Sequence, residues 1–377
     1  MTTIAFVLEK VIRGGGEMLL SDVFDELDDR YSVEVWNLGR RNQAIVERFE
    51  EVGATVVQLG QYGTADKYLL RPLPAVVATC RRRSVDALQG SSLYTNLLVK
   101  AAGLAVGVPA VGQIHGVPAS QCRPVVLAEA ATNRLADIAV TNSRTAAAEV
   151  YGADGSVRRA LSGGRIERVP CGIDMAQMDR FSGSKLPISG PGSEIPKGRQ
   201  LVVSVGRLIP LKNQATLIRA LARLDDDTHL VLIGGGPQEE ALRALAADLG
   251  IADRTTFLGN VPRETVLSVV SNASVSVSVS RREGFGIAVI EALALSVPVV
   301  VSDIGTYREV LAEPEGGLSD VFVDQEDSTA VANAVEALLD DPQRRRAVAR
   351  AGRELVADEY AIDAVASRYA RLYQALL

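Results

Sequence analysis

The sequence is poor in the residues that build disulfide frameworks and zinc sites. Its 377 residues include three cysteines and two histidines. Cys80, Cys122 and Cys171 are scattered and odd in number, which argues against a disulfide framework and is typical of a reducing compartment. With His115 and His229 as the two histidines, a metal site built from histidine and cysteine is disfavoured. We therefore expect neither a disulfide-stapled secreted domain nor a zinc protein.

Long apolar runs and a strong excess of one charge are also absent. No segment has the roughly 18 uninterrupted apolar residues that a membrane-spanning helix needs. The beginning, MTTIAFVLEK, lacks a basic segment followed by an apolar run and a cleavage site. The formal net charge of −6 does not favour nucleic acid as a partner. These absences predict a cytoplasmic protein with no nucleic-acid partner.

What the chain does have is a regular alternation of short apolar runs with longer amphipathic segments. TIAFVL (3–8), SVEVWNL (32–38) and TVVQL (55–59) are predicted strands in the first half. QLVVSVGRL (200–208), HLVLIGGG (229–236) and SVSVSVS (274–280) are predicted strands in the second half. Alternation of this kind predicts an α/β protein with mainly parallel sheets covered by helices on both faces.

One stretch interrupts the alternation. SGSKLPISGPGSEIPKGRQ (182–200) is rich in glycine, serine and proline and predicts an interdomain linker. A chain of 377 residues also exceeds what one hydrophobic core usually serves. We therefore predict an amino-terminal domain at 1–181 and a carboxyl-terminal domain at 201–356. The last segment, 357–377, is a predicted helix that packs back toward the amino-terminal domain.

Ligands of open parallel sheets bind outside the carboxyl ends of the strands, and three segments have groups suited to that place. The first contains three glycines, Gly14 to Gly16, between a predicted strand and a helix. Glycine permits close backbone approach, and a helix N-terminus attracts phosphate. The pattern is neither G-x-G-x-x-G nor a P-loop, so a flexible turn is the alternative.

The second segment, VGRLIPLKN, places Arg207 just after a predicted strand and Lys212 before a helix. Two cations beyond one strand end can clamp a diphosphate, arginine as a planar fork and lysine as a point charge. The alternative is an ordinary solvated pair of surface side chains.

The third segment, REGFGIAVIEALALSVPVVVSD (282–303), holds Glu283 and Glu291. On one continuous helix the two would point about 80° apart, so they face one ligand only if Glu283 lies in the preceding loop. Amide groups from Gly284 to Ile287 would then point toward negative charge. An exposed helical acid is the alternative for Glu291. Its neighbours are almost wholly apolar, and a buried, unpaired carboxylate is costly.

These segments resemble those of a known family. VGRLIPLKN, LVLIGGGP, FLGNVP and EGFGIAVIEALALSVPVVVSDIGTYREV occur in this order and spacing in family-four retaining glycosyltransferases, glycosyl transferases group 1. GGGE, VPAVGQIHG, DIAVTNS and VPCGID in the first half are similar to that family too. The resemblance implies the GT-B fold, in which two Rossmann-like domains, the first acceptor-binding and the second donor-binding, face each other across a cleft.

The resemblance also implies roles for matching residues. Glu291 would bind the ribose of a sugar nucleotide, Glu283 the transferred sugar, and Arg207 and Lys212 the leaving diphosphate. The implied catalytic residues are His115, Arg207, Lys212 and Glu283. The implied donor-binding residues are Gly15, Gly16, Gly206, Arg207, Lys212, Gly234, Asn260, Val261, Glu283, Phe285, Gly286, Ile287 and Glu291. A structural role is the alternative for His115, and His229 is predicted to be structural.

No metal or other cofactor is expected. The acidic run at 225–227 has the Asp-x-Asp form that holds a metal in other glycosyltransferases. It precedes a strand, on the edge opposite the expected site, so we predict a solvated loop. Arg207 and Lys212 can neutralise the diphosphate instead.

The basic cluster Arg81 to Arg83 leaves two interpretations. It follows the apolar run LPAVVATC, so a membrane-surface helix that brings a lipid acceptor close is one of them. A helix C-terminus with favourably placed cations is the other. Weak peripheral association with the inner face of a membrane therefore stays open.

The implied function is transfer of a hexose-type sugar from a nucleoside diphosphate, UDP or GDP, to an acceptor hydroxyl with retention of configuration. The acceptor would be a sugar, lipid-linked or small-molecule. One alternative is a sugar-nucleotide epimerase of the same fold, and another is a non-catalytic subunit that binds nucleotide sugar. A dehydrogenase is disfavoured by the missing G-x-G-x-x-G. The family often has glycine where this chain has Leu295 and Ser296, and GTYREV replaces a form richer in glycine and proline.

Overall fold

The computed structural model describes residues 1–11, 15–63, 71–114, 128, 131–132, 135–151, 165–184, 195–312 and 318–377. The chain forms two compact units. Unit 1 comprises Met1–Gly172 and Ile362–Leu377, and unit 2 comprises Ile173–Ala361. Within the described ranges, no helix combines the length and apolar character needed to cross a bilayer.

Unit 1 is built on a seven-stranded sheet with the order β3-β2-β1-β4-β5-β6-β7, and every pairing in it is parallel. Its strands are β1 Thr2–Leu8, β2 Tyr31–Asn37, β3 Thr55–Gln58, β4 Ala87–Gly90, β5 Ala110–Ile114, β6 Ile138–Thr141 and β7 Arg165–Arg168. Its helices are α1 Gly15–Asp25, α2 Gln43–Glu51, α3 Leu73–Arg83, α4 Leu93–Val106, α5 Arg144–Tyr151 and, at the end of the chain, α14 Ile362–Leu376. The central strand β1 is apolar without alternation because helices cover both faces of the sheet.

The terminal helix α14 completes the core of unit 1. Val365, Leu372 and Tyr373 join a buried cluster that includes Phe6 and Phe24, whose ring centroids lie 4.7 Å apart. Polar groups also fix this helix. Gln113 Nε2 donates to Tyr369 Oη at 3.0 Å, and Tyr373 Oη donates to Gln89 Oε1 at 2.6 Å. These bonds satisfy side chains that would otherwise be buried without partners.

Unit 2 is built on a six-stranded parallel sheet with the order β10-β9-β8-β11-β12-β13. Its strands are β8 Gln200–Val205, β9 Thr228–Ile233, β10 Thr255–Gly259, β11 Val275–Ser278, β12 Val299–Ser302 and β13 Phe322–Val323. Its helices are α6 Met175–Phe181, α7 Gln214–Leu221, α8 Glu239–Asp248, α9 Arg263–Ser271, α10 Ile287–Ala294, α11 Gly305–Val310, α12 Ser328–Asp340 and α13 Pro342–Glu359. This strand order is that of a doubly wound Rossmann-like sheet, and the order reverses between β8 and β11.

The unit boundaries differ from the predicted domain boundaries. Residues 173–181 belong to unit 2 rather than to an amino-terminal domain ending at 181. The reason is that α6 packs against α9 and α10 of unit 2. At the other end, α13 continues to Glu359, so residues 357–361 belong to unit 2 and the segment in unit 1 begins at Ile362. Of the predicted linker at 182–200, residues 185–194 lie outside the described residues.

Helix α3, which ends in the basic cluster Arg81 to Arg83, packs its apolar side against the core of unit 1. Val76 and Cys80 of α3 are buried in the core. At its end, Arg83 Nε donates to Glu34 Oε2 at 2.6 Å, and Glu34 also accepts from the Trp36 indole at 2.7 Å. The apolar residues of this helix are thus largely occupied by the core, and Arg83 is paired.

Candidate functional site

Predicted donor-binding residues of unit 2 follow four neighbouring strands. Gly206 and Arg207 follow β8, Gly234 follows β9, Asn260 and Val261 follow β10, and Glu283 follows the short strand β11. Because these strands are parallel neighbours, their carboxyl ends meet at one edge of the sheet. Arg207 and Glu283 follow the two strands between which the strand order reverses. The structure therefore brings these residues to the position where open α/β sheets bind ligands.

Lys212 and Glu283 form an ion pair at this edge. Lys212 ends a 3₁₀ turn, Pro210–Lys212, and its Nζ donates to Glu283 Oε1. Ser280 Oγ donates to the same oxygen at 2.8 Å. The Lys212 and Glu283 side chains are 23% and 11% exposed, so both charges are largely removed from water. Two donors therefore hold Oε1 of Glu283. Lys212, which is predicted to bind phosphate, and Glu283, which is predicted to bind the sugar, are in direct contact.

Tyr307 is a part of this site that the sequence interpretation missed. Its hydroxyl lies 2.7 Å from Ser278 Oγ and donates to Glu283 Oε1 at 3.5 Å. Burial, and then the charge of Glu283, raise the pKa of Tyr307 well above its usual value, so it remains a neutral donor. Thr306 Oγ1 donates to the Glu283 carbonyl at 2.9 Å. Ser280, just after β11, and Thr306 and Tyr307 of the GTYREV segment therefore support Glu283.

Arg281 fixes the loop that carries Lys212. Its backbone amide donates to the Leu211 carbonyl at 2.9 Å, and its Nη1 donates to the Pro210 carbonyl at 2.7 Å. The guanidinium is itself held by Glu326, with Nε donating to Oε1 at 2.6 Å. Loops that are far apart in sequence are joined in this way, which explains how Lys212 reaches Glu283. No local signal in the sequence marks this contact.

The Gly-Phe-Gly turn begins α10 in a conformation that requires glycine. Gly286 has a φ of 88°, and a Cβ there would lie 2.4 Å from Tyr307 Cε1. Phe285 is buried, with its ring edge-on to Tyr360 at 5.4 Å between centroids. The amides of Ile287 and Ala288 have no intrahelical partner and are available to an anion, whereas the Val289 amide donates to the Gly286 carbonyl at 2.9 Å.

Glu291 lies inside α10 and is not an exposed acid. It is 7% exposed, and Arg263 Nη1 at the start of α9 donates to its Oε1. Arg263 Nε in turn donates to Gln177 Oε1 of α6 at 3.3 Å. Burial raises the pKa of Glu291, while the Arg263 charge and hydrogen bond act in the opposite direction. Glu283 in the loop and Glu291 in the helix occupy the elements predicted for them.

Backbone contacts shape the rest of this edge. Gly234 has a φ of 125°, and a Cβ there would lie 2.2 Å from the Gly206 carbonyl oxygen. Asn260 is exposed, and its Oδ1 accepts from the Gly235 amide at 3.1 Å. The Arg207 side chain is exposed and forms no ion pair among the described residues, so it is free to bind an anion.

The candidates of unit 1 are described in part. Gly15 and Gly16 form the start of α1, after β1. Gly14 and His115 lie outside the described residues, so the role predicted for His115 stays a prediction. His229 lies near the amino-terminal end of β9, at the sheet edge opposite the predicted ligand site. There Thr256 Oγ1 contacts its Nε2 at 2.8 Å. Across the described ranges, no three His, Cys, Asp or Glu side chains are grouped as metal ligands. Metal independence nevertheless stays a prediction.

Two family profiles match most of the chain. Residues 14–172 match the glycosyl transferase 4-like domain, and residues 190–355 match glycosyl transferases group 1. A GDP-mannose-dependent α-(1-6)-phosphatidylinositol monomannoside mannosyltransferase of Mycobacterium tuberculosis is 36% identical over 220 residues, which is 54% of each chain. A D-inositol 3-phosphate glycosyltransferase of Acidothermus cellulolyticus is 32% identical over 290 residues, 70% of this chain and 57% of that one. These matches thus span about half the length of the curated relatives.

The fold is shared with solved structures. HepE of Anabaena, solved in complex with UDP, superimposes with a TM-score of 0.80 at 20% identity, and each chain is covered completely. At this identity the likeness establishes the fold, which is GT-B, as the sequence motifs imply. With both family profiles matched in order and this fold in both units, the chain belongs to the family-four, group 1 glycosyltransferases.

Proposed function

We propose that this protein is a retaining glycosyltransferase that moves a hexose-type sugar from a nucleoside diphosphate to an acceptor hydroxyl. The observation that carries the proposal is the Lys212–Glu283 pair at the reversal point of the unit 2 sheet. A cation and an acid placed together there suit a ligand with an anionic part next to hydroxyl groups. The matched relatives are named as sugar transferases, which agrees with this chemistry.

In this proposal each part of the donor contacts a different group at this edge. The diphosphate would contact Arg207, Lys212 and the first amides of α10, which oppose its charge without needing to reorganise. Glu283 would accept hydrogen bonds from the transferred sugar through Oε2, since Oε1 is held by Lys212 and Ser280. Glu291 would accept from the ribose hydroxyls. The backbone at Asn260 and Val261 would contact the base.

Bond changes in the proposed reaction involve donor and acceptor alone. The bond between the anomeric carbon and the diphosphate oxygen breaks, and the acceptor oxygen bonds to that carbon on the same face. The acceptor proton passes to the leaving phosphate oxygen. Lys212 and Arg207 stabilise the charge that develops on the diphosphate, which is why we propose no metal requirement.

The base and the acceptor are left to experiment. GDP-mannose is in the name of one relative, and UDP is bound in the HepE structure. Both relatives named above act on inositol-containing compounds according to their names, so inositol derivatives are a sensible first acceptor class. We propose that unit 1 binds the acceptor, because acceptor binding is the role that the family resemblance gives to the first domain.

Thermal unfolding with UDP, GDP, ADP and their sugar conjugates tests the donor site. A ligand at one hundred times its dissociation constant stabilises a protein by about 2.7 kcal/mol, which is readily measured. We expect stabilisation by one nucleotide series, equal in EDTA and in magnesium. Stabilisation that needs magnesium would contradict the metal-free clamp, and none at all would contradict the donor site.

Product analysis separates transfer from the alternatives. With the stabilising sugar nucleotide and inositol or simple sugars as acceptors, NMR of the product should show the anomeric configuration of the donor. An epimerised sugar with no acceptor product would support the epimerase alternative. Donor binding without turnover on any acceptor or with water would support a non-catalytic subunit.

A further inference from the structure

Arg263 holds the acid that is proposed to bind ribose. The Glu291 carboxylate has a single hydrogen-bonded partner in the described part of the chain, the Arg263 guanidinium, on Oε1. The guanidinium is fixed at its other end by Gln177, whose Oε1 accepts from Arg263 Nε at 3.3 Å. Three helices therefore meet through these side chains, with Arg263 from α9, Glu291 from α10 and Gln177 from α6.

The Arg263 cation favours the ionised form of the buried Glu291 carboxyl, against the effect of burial, and fixes the direction of its Oε1. A carboxyl group that is 7% exposed would favour its neutral form without a cation, because burial penalises the charge. An ionised carboxylate accepts hydrogen bonds at both oxygens, whereas a protonated one must donate at one of them. With Oε1 occupied by Arg263, Oε2 has no hydrogen-bond partner among the described residues and is the oxygen left for a ligand hydroxyl.

Arg263 is also close in sequence to the segment proposed to contact the base. It follows Asn260 and Val261 after a single proline, Pro262. The same short segment thus begins at the end of β10 and ends at the cation that orients Glu291. The proposed base-contacting backbone is therefore linked to the proposed ribose-binding acid through the short segment that ends at Arg263 and through the Arg263–Glu291 ion pair.

We propose that Arg263 is a positioning residue that gives the donor site its preference for ribose over 2′-deoxyribose. It acts by holding Glu291 with Oε2 directed to the ribose hydroxyls. This inference rests on the proposed function, because it takes Glu291 as the ribose-binding acid.

The experiment compares dissociation constants of UDP, GDP and their 2′-deoxy forms by calorimetry in EDTA. A hydrogen bond to a charged group is worth roughly tenfold or more in affinity, so the wild type should prefer the ribonucleotide by about that factor. Arg263→Met should lower the preference to about twofold or less, as should Glu291→Gln. Arg263→Lys should retain most of it.

Controls separate this role from a structural one. Arg243→Met removes a cation from α8 that pairs with Glu239, lies over the Phe257 ring and, among the described residues, forms no ion pair with Glu291. Its ribose preference should therefore equal that of the wild type. The ratio of two ligands on one protein does not change if a variant merely lowers the fraction folded. Should Arg263→Met fail to fold, Gln177→Leu keeps the charge, frees the guanidinium and should lower the preference.

The outcomes distinguish the inference from the function on which it rests. A ribose preference that survives Arg263→Met, or Gln177→Leu where the first variant is unfolded, overturns the role of Arg263 and leaves the donor site standing. If the wild type binds the ribonucleotide and its 2′-deoxy form equally well, Glu291 does not bind the ribose 2′-hydroxyl. That result overturns the inference but leaves diphosphate binding in place. Absence of nucleotide binding in the wild type overturns both.

Discussion

Two acids at the unit 2 edge, Glu283 and Glu291, each have one oxygen bound to a cation. Lys212 holds the first and Arg263 the second, and both carboxylates are largely buried. Removing one partner of a buried pair leaves an uncompensated charge, which costs more than the pair itself contributes. Substitutions here therefore affect stability as well as binding, and each test needs a readout that separates the two.

Lys212→Ala should lower turnover far more than donor affinity. The ammonium opposes the charge that grows as the diphosphate leaves, so its loss should reduce kcat by about 100-fold or more. The KM for the donor should rise less, because Arg207 and the α10 amides remain. Steady-state kinetics with the sugar nucleotide checks this. Lys197→Ala removes an exposed lysine of unit 2 and should leave both constants unchanged; equal effects of the two substitutions would contradict the clamp.

Tyr307→Phe removes a hydroxyl from the Glu283 network and keeps the ring that packs on Gly286. Since Tyr307 Oη contacts Glu283 at the long distance of 3.5 Å, we expect a moderate fall in kcat of about 5- to 20-fold. Binding of the free nucleoside diphosphate should not change. Tyr360→Phe is the matched control, because its buried hydroxyl donates to the Val310 carbonyl at 2.7 Å. A kcat equal in both variants would remove Tyr307 from the site.

At the scale of elements, the start of α10 depends on one left-handed residue. Gly286→Ala places a methyl group against the Tyr307 ring in a conformation that L-residues avoid. We expect a loss of about 2–4 kcal/mol in the free energy of unfolding and weaker nucleotide binding. Gly250→Ala is the control, since Gly250 has a φ of 70° and open space around its Cβ. It should lose about 1 kcal/mol and bind nucleotide normally, as denaturant titration and calorimetry would show.

Just after the end of α10, a non-glycine residue adopts a left-handed conformation that glycine would adopt at lower cost. Ser296 has a φ of 59° at a position where the family often has glycine. Ser296→Gly should therefore raise the free energy of unfolding by about 0.5–1 kcal/mol. Ser84, just after α3, has a φ of 50°, so Ser84→Gly should also raise the free energy of unfolding. Ser328→Gly, at the first position of α12, should lower it, and stabilisation by all three changes would contradict the backbone explanation.

Elements were predictable where local pattern determines them. The apolar run of β8 and the alternating run of β11 predict strands, and the strand-end rule then places Arg207 and Glu283 at the ligand edge. Arg263, Arg281 and Tyr307 were not predictable, because their contacts join residues that are 24 to 71 positions apart. The assignment of α6 to unit 2 depends on the same kind of long-range packing, and so its sequence alone does not reveal it.

At the scale of the whole molecule, the chain makes two units that each have their own sheet and core. Unit 1 is discontinuous, since α14 supplies Val365 and Leu372 to its core from the end of the chain. Unit 2 is continuous from Ile173 to Ala361. Each unit can therefore have its own stability and its own dependence on pH, temperature and ligand.

Acid should destabilise unit 2 in part through His229. Burial, with Arg199 contributing, lowers the pKa of His229 to about 4, from about 6.5 in the unfolded chain. Below pH 6.5, His229 binds a proton in the unfolded state but not in the folded state, so the free energy of unfolding falls as the pH is lowered to about 4. Allowing for solvent screening, this costs about 2 kcal/mol. Denaturant unfolding of unit 2 at pH 7 and pH 4 should show a smaller loss for His229→Gln, whose amide can still reach Thr256. An equal loss in both proteins would place the acid sensitivity elsewhere.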